Sequence, residues 1–206
     1  MNNHIIEESL KKGISYPEYA KLVELLVEEK STTGDSKTET LIEFTKLNDR
    51  RMKRWSKTLK IPVNIEKKIT SIDSRATWLV ITESWCGDAA HVMPVINKVA
   101  ELNKNINFKV VLRDENEALM NQFLTNGSKS IPKLIMIDDT TNEIVSTYGP
   151  RPNTATQLVN DFKKEHGALT ADFKKDLQVW YNKDKGQSTI EDLTEMLCQL
   201  QPSFCL

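Results

Sequence analysis

Cysteine is scarce in this chain: 206 residues carry Cys86, Cys198 and Cys205 and no others. An odd, thinly spread set is not a disulfide framework. The core must therefore come from apolar packing, which a chain of this length can supply. Glycine is scarce too, at seven residues, and none of them builds a phosphate-cradling loop, so no nucleotide or flavin site is visible. Neither charge dominates: 28 Lys and Arg face 29 Asp and Glu. A net charge near zero gives no field to recruit nucleic acid or a membrane surface, and neither is expected as a partner. No apolar run approaches the roughly 18 residues of a membrane span. Met1–His4 lacks a basic stretch leading into an apolar run, so no secretory signal is visible. The expected compartment is the cytoplasm, where thiols stay mostly reduced. His4, His91 and His166 show no metal-ligand spacing with one another or with the cysteines, and no metal is expected.

What is present begins with helical signals over the first seventy residues. Ser15-Tyr16-Pro17-Glu18 is a capping box with proline in the first turn, and it opens a helix ending near Lys30. Ser36 and Glu39 suggest a second capping box. The helix behind it places Leu41, Phe44, Met52, Trp55 and Leu59 on one stripe. Its last half is basic, from Arg50 to Lys57, which reads as a solvated face at a helix C-terminus. Pro62 stops it.

The pattern then changes to α/β. Trp78 to Thr82 is a short apolar run of the kind buried on both sheet faces. A helix is expected from about Cys86 to Asn103, then strands at Phe108–Leu112, Leu134–Ile137 and Ile144–Tyr148. Asp114 and Glu117 suggest a helix ending at Asn126-Gly127, and Thr154 with Gln157 another through Phe162. Beyond Gly167 two helices remain. One carries Leu169, Phe173, Leu177 and Trp180, and the other opens at a Ser188–Glu191 capping box. The order implies a central mixed sheet with helices on its faces.

Cys86 sits where the first strong strand turns into a helix. Free N–H groups and the helix dipole favour a thiolate there, and the thiolate is the nucleophile of disulfide exchange. His91, five residues on, falls about 140° around the helix from Cys86 and is expected as a solvated surface histidine.

Trp85-Cys86-Gly87-Asp88-Ala89 resembles the Trp-Cys-Gly-Pro-Cys motif of the thioredoxin family, most nearly of bacterial members. Pro94, eight residues after Cys86, stands where the family has a helix-kinking proline. Ser130-Ile131-Pro132-Lys133-Leu134 resembles the family's cis-proline segment, and Arg113-Asp114-Glu115-Asn116 its strand-to-helix junction. The resemblance covers about residues 63–166. It implies a thioredoxin-like domain at 63–167, an N-terminal helical extension at 1–62 and a C-terminal helical pair at 168–206. It also implies that Cys86 is the nucleophile, and that Trp85, Gly87, Asp88, Ile131 and Pro132 meet the substrate.

The departures narrow the function. Ala89 stands in place of the second cysteine, Asp88 in place of the motif proline, and Val80 where the family has a buried acid. A carboxylate beside Cys86 opposes the thiolate that the helix favours. What the resemblance then implies is monothiol thiol-disulfide exchange in cell redox homeostasis, with protein or small-molecule disulfides and thiols as partners. It needs no bound cofactor. Glutathione or another small thiol would be the co-reductant, unless Cys198 or Cys205 folds back to resolve the mixed disulfide. The alternative is a redox-inactive module that binds an extended segment beside Pro132.

Overall fold

The computed structural model describes the backbone of residues 3–205 and the side chains of residues 4–203. Four helices come first: α1 (Asn3–Lys12), α2 (Tyr16–Glu28), α3 (Glu39–Thr58) and α4 (Val63–Thr70). An α/β segment follows: β1 (Ala76–Thr82), α5 (Ala89–Glu101), β2 (Ile106–Leu112), α6 (Glu117–Met120), β3 (Lys133–Asp138) and β4 (Ile144–Tyr148). Helices α7 (Asn153–His166), α8 (Ala171–Asp184) and α9 (Gln187–Leu200) lead to a short 3-10 turn, Pro202–Cys205.

The sheet order is β2-β1-β3-β4. β1 runs parallel to β2, with Val80 opposite Val110, and antiparallel to β3, with Val80 opposite Leu134. All seven residues of β1 are buried, which explains its unbroken apolar sequence. The outer edge of β2 is closed by an isolated bridge, Ile14 exchanging both backbone hydrogen bonds with Val110 at 3.0 and 2.8 Å. That bridge pairs the edge of β2 at Val110. The expected α/β thioredoxin-like architecture is what the chain adopts.

One of the expected capping boxes forms. Ser15 and Glu18 form the reciprocal capping box of α2. Four other helix-end signals are corrected. Pro152, not Thr154, is the N-cap of α7, which has no side-chain cap hydrogen bond. Thr38, not Ser36, caps α3, its hydroxyl accepting from Leu41 N at 3.4 Å. The helix expected to run to Asn126 stops at Met120. Thr125 and Ser128 then exchange backbone hydrogen bonds around Asn126 and Gly127, both in the left-handed region. Gly186 is the N-cap of α9, while the Ser188 hydroxyl bonds back to Asp184 at 2.6 Å instead of capping.

The apolar stripe read on α3 is also corrected. Met52, Trp55 and Leu59 are buried, but Phe44 is 47% exposed. Thr45 and Asn48 take the buried positions instead. Their reason lies in the site that α3 braces.

Candidate active site around Cys86

β1 delivers the chain to a tight turn, Glu83 to Asp88, before α5 begins at Ala89. Cys86 is therefore just ahead of the helix, its carbonyl already accepting from Ala90 N at 3.2 Å. Across from it the Ile131–Pro132 peptide bond is cis. The Cys86 Sγ donates to the Ile131 carbonyl at 3.2 Å. The fold thus brings together Cys86, Ile131 and Pro132, three of the six residues singled out in the sequence. Cys86 is a free thiol, and its residue is 9% exposed.

The turn is held from behind by hydroxyls. The Ser84 Oγ lies 2.8 Å from Thr45 Oγ1 and 3.1 Å from Thr32 Oγ1, and accepts from Thr33 N at 3.1 Å. Ser84 N donates to Thr33 Oγ1 at 2.8 Å, and Asn48 Nδ2 donates to the Ser84 carbonyl at 2.8 Å. A buried network of this kind is stabilising only when every member is satisfied. This is why polar residues displace apolar ones on the inner face of α3. Ser84→Ala leaves the Thr33 N–H and the threonine hydroxyls short of a partner. It is expected to cost about 1–3 kcal/mol, read as a lowered urea midpoint at unchanged slope.

The remaining three motif residues turn elsewhere. Trp85 is half-buried with the Arg113 guanidinium 4.9 Å above its ring. At Gly87 an added Cβ would lie in ordinary contact with Arg51 Nη1 and the Gln178 amide at 3.7–3.8 Å, so α3 and α8 both border it. Arg51, expected in a solvated basic face, is half-buried here. Asp88 pairs with Arg151 at 2.6 Å and accepts from the Tyr181 hydroxyl at 3.0 Å.

His91 corrects the expectation of a solvated surface residue. It is 3% exposed. Its Nδ1 accepts from Trp55 Nε1 at 3.0 Å, its Nε2 sits 3.0 Å from Gln178 Oε1, and Tyr181 stacks on the ring at 4.4 Å. Indole N–H is a donor only, so Nδ1 carries no proton and Nε2 donates to Gln178. Burial, aided by Arg51 and Arg54, pushes the imidazole down to about 3. NMR of the labelled ring is expected to show a neutral Nε2–H tautomer at pH 5.

Electrostatics set the state of the thiol. Burial, then the neighbouring Asp88 carboxylate, pushes Cys86 up to about 12, against a smaller pull from the Ala89 and Asp88 N–H groups. The helix-start effect is present and loses. Asp88 itself is pushed up by burial, while Arg151 and the Tyr181 hydroxyl pull the other way. The resting thiol is therefore neutral, as its bond to the Ile131 carbonyl requires.

Several residues were not read from the sequence. Arg151, Tyr181 and Gln178 lie far along the chain from Cys86 and carry no local signal. Glu83 is fully buried, its Oε1 accepting from Asp114 N at 2.9 Å while its Oε2 has no partner. Burial pushes this carboxyl up too. Its place three residues before the cysteine was the available clue. Of the two thiols considered as resolving partners, Cys198 lies on α9 with its Sγ 3.4 Å from the Thr194 carbonyl. The side chain of Cys205 lies outside the described residues. Among the described residues no group of three or more His, Cys, Asp or Glu could hold a metal, and no helix is long and apolar enough to cross a membrane.

A parallel β1-α5-β2 unit joined to an antiparallel β3-β4 hairpin, with a cysteine facing a cis-proline loop, defines the thioredoxin-like class. The chain belongs to the thioredoxin family: the family model described as Thioredoxin matches residues 34–163, more than half its length. The match reaches back over α3 and α4. Among solved structures, the chain is similar to a protein of unknown function from Pseudomonas aeruginosa. The two are 17% identical, over 73% of this chain and 84% of that one, with a TM-score of 0.57. It is also similar to an HIV epitope scaffold, at 18% identity, over 89% and 98% of the two chains, with a TM-score of 0.54. At these identities the likeness concerns the fold. No curated protein matches the chain.

Proposed function

We propose that this is a monothiol thiol-disulfide oxidoreductase whose resting thiol is neutral and buried. The observation that carries it is the placement of Cys86 Sγ against the Ile131 carbonyl, at the start of α5. Once ionised, the Cys86 sulfur attacks one sulfur of a disulfide. The S–S bond breaks, a mixed disulfide forms, and the other sulfur leaves as a thiolate. A second thiol then attacks the mixed disulfide and frees Cys86. Ala89 cannot do this; the second thiol in this reading is external, glutathione or another small thiol. Ile131 and Pro132 border the sulfur where a substrate chain would lie. Gly87 and Asp88 sit on the side that α8 closes, and Trp85 sits at the rim. Its partners are protein or small-molecule disulfides, met in the cytoplasm.

The test is intact-mass detection of one glutathione adduct after exposure to glutathione disulfide, with turnover of a small disulfide in the presence of glutathione. Both are expected in the wild type, to rise in Tyr181→Phe, which loses a tie between α8 and Asp88, and to vanish in Cys86→Ser. No adduct and no turnover in either Cys86-containing protein rejects the enzyme.

The burial that pushes Cys86 up to about 12 favours a second reading, a binding module without redox turnover. Partner capture that depends on Pro132 but survives Cys86→Ser distinguishes it.

A further inference from the structure

One hollow has no part in the thiol chemistry. It opens between the C-terminal turn of α3 and the corner joining α8 to α9, with a volume of about 440 Å³. That is the size of a small-ligand cleft. From α3 and the residues after it come Arg54, Thr58 and Lys60, with Trp55 as the floor; from the corner come Asn182, Lys185 and Gln187. Three cations thus share one concavity, and no acidic side chain lines it. Among the described residues none of the three has an ion-pair partner, although Lys11, Lys21, Lys46 and Lys53 all do.

The two walls are tied in advance of any ligand. Arg54 Nη2 donates to Asn182 Oδ1 at 2.6 Å, which leaves the Asn182 amide nitrogen free to donate. Gln187 Nε2 donates to the carbonyls of Lys60 and Lys185, at 3.2 and 3.4 Å. The corner is packed hard: an added Cβ on Gly186 would come within 2.9 Å of Leu59 and Val95. Lys185 holds a left-handed backbone, φ +55, where glycine or asparagine is the usual residue. A lysine there costs about 1–2 kcal/mol of backbone energy.

A compact polyanion is the ligand class suited to a concavity lined by three cations and no acid. Arg and Lys together suit phosphate oxygens, one as a planar fork and the other as point charges. We propose that this cleft binds a small phosphate-bearing polyanion of the diphosphate type. The proposal is independent of the reading of Cys86.

The test is isothermal titration of the full chain with sodium diphosphate in 50 mM salt, with citrate and adenosine diphosphate as separate arms. Saturable one-site binding is expected, weakened on raising the salt to 300 mM. Arg54→Gln/Lys60→Gln/Lys185→Gln should weaken it at least tenfold, and Lys185→Gln alone severalfold. Lys67→Gln/Lys68→Gln/Lys174→Gln, the same charge change on exposed sites elsewhere, should leave it within twofold. Tighter binding of adenosine diphosphate would point to a nucleotide and equal or weaker binding to a free diphosphate, and both support the site. Absence of saturable heat overturns it. So does citrate binding as tightly as diphosphate, or equal loss in the two triple variants.

Discussion

In the folded protein, iodoacetamide is expected to alkylate Cys86 on the order of a hundredfold more slowly at pH 8 than it alkylates the same cysteine in the urea-unfolded chain. A free thiol titrates near 8.5, so about a quarter is thiolate at pH 8. With Cys86 at about 12, the thiolate fraction is lower by roughly three orders of magnitude. A more basic thiolate is also a better nucleophile, which returns a factor of about thirty to sixty. Burial of the sulfur then slows approach further. The pH profile is the sharper measurement. The unfolded chain's rate levels off above about pH 9.5, whereas the folded protein's rate should climb about tenfold per pH unit for as long as the fold survives. Asp88→Asn removes the negative neighbour that opposes ionisation and should raise the folded rate at every pH. A profile that levels off near 8.5 in the folded protein would contradict a neutral, covered resting thiol.

The distance in sequence between partners decides what could be read from the chain. β1 was legible because both its faces are buried, so the run Trp78 to Thr82 has no polar interruption. The α2 cap was legible because Ser15 and Glu18 stand three residues apart around a first-turn proline, whereas the equally spaced Ser36–Glu39 and Ser188–Glu191 pairs do not cap. Cys86 and Pro132 were legible as two separate segments whose meeting follows from the fold. His91 was not. On its own helix it has no partner, and its burial depends on Trp55 from α3 and on Gln178 and Tyr181 from α8. Thr45 and Asn48 misled the reading of α3 for the same reason. Their inward position makes sense only once Ser84 lies opposite. The helices outside the motif proved to be the walls of the site, which a motif-centred reading does not foresee.

Arg151→Gln is expected to be the most destabilising single change of charge. Arg151 and Asp88 meet at 2.6 Å with side chains 22% and 12% exposed. Removing one partner of a buried pair leaves the other charge uncompensated, at a cost of about 3–5 kcal/mol. The Tyr181 hydroxyl still donates to Asp88 and offsets a small part. The loss should depend on pH in a stated direction. Burial already pushes the Asp88 carboxyl up and Arg151 is the largest opposing influence, so the variant's Asp88 titrates higher still. A folded-state value raised above the unfolded one, about 3.9, means that the folded state holds the proton more tightly. The variant is therefore least impaired at the acid end, where the raised folded-state carboxyl keeps Asp88 protonated in the folded protein. Its deficit relative to wild type grows as the pH rises through the folded-state value, and is full once Asp88 must be buried as an anion. Urea unfolding at pH 4.5, 6 and 8 reads this directly. Asp88→Asn/Arg151→Gln, which buries neither charge, should recover most of the loss at pH 8. A deficit below about 1 kcal/mol, or one equal at all three pH values, would mean that the pair is solvated in solution and that α8 does not close over the start of α5 as described.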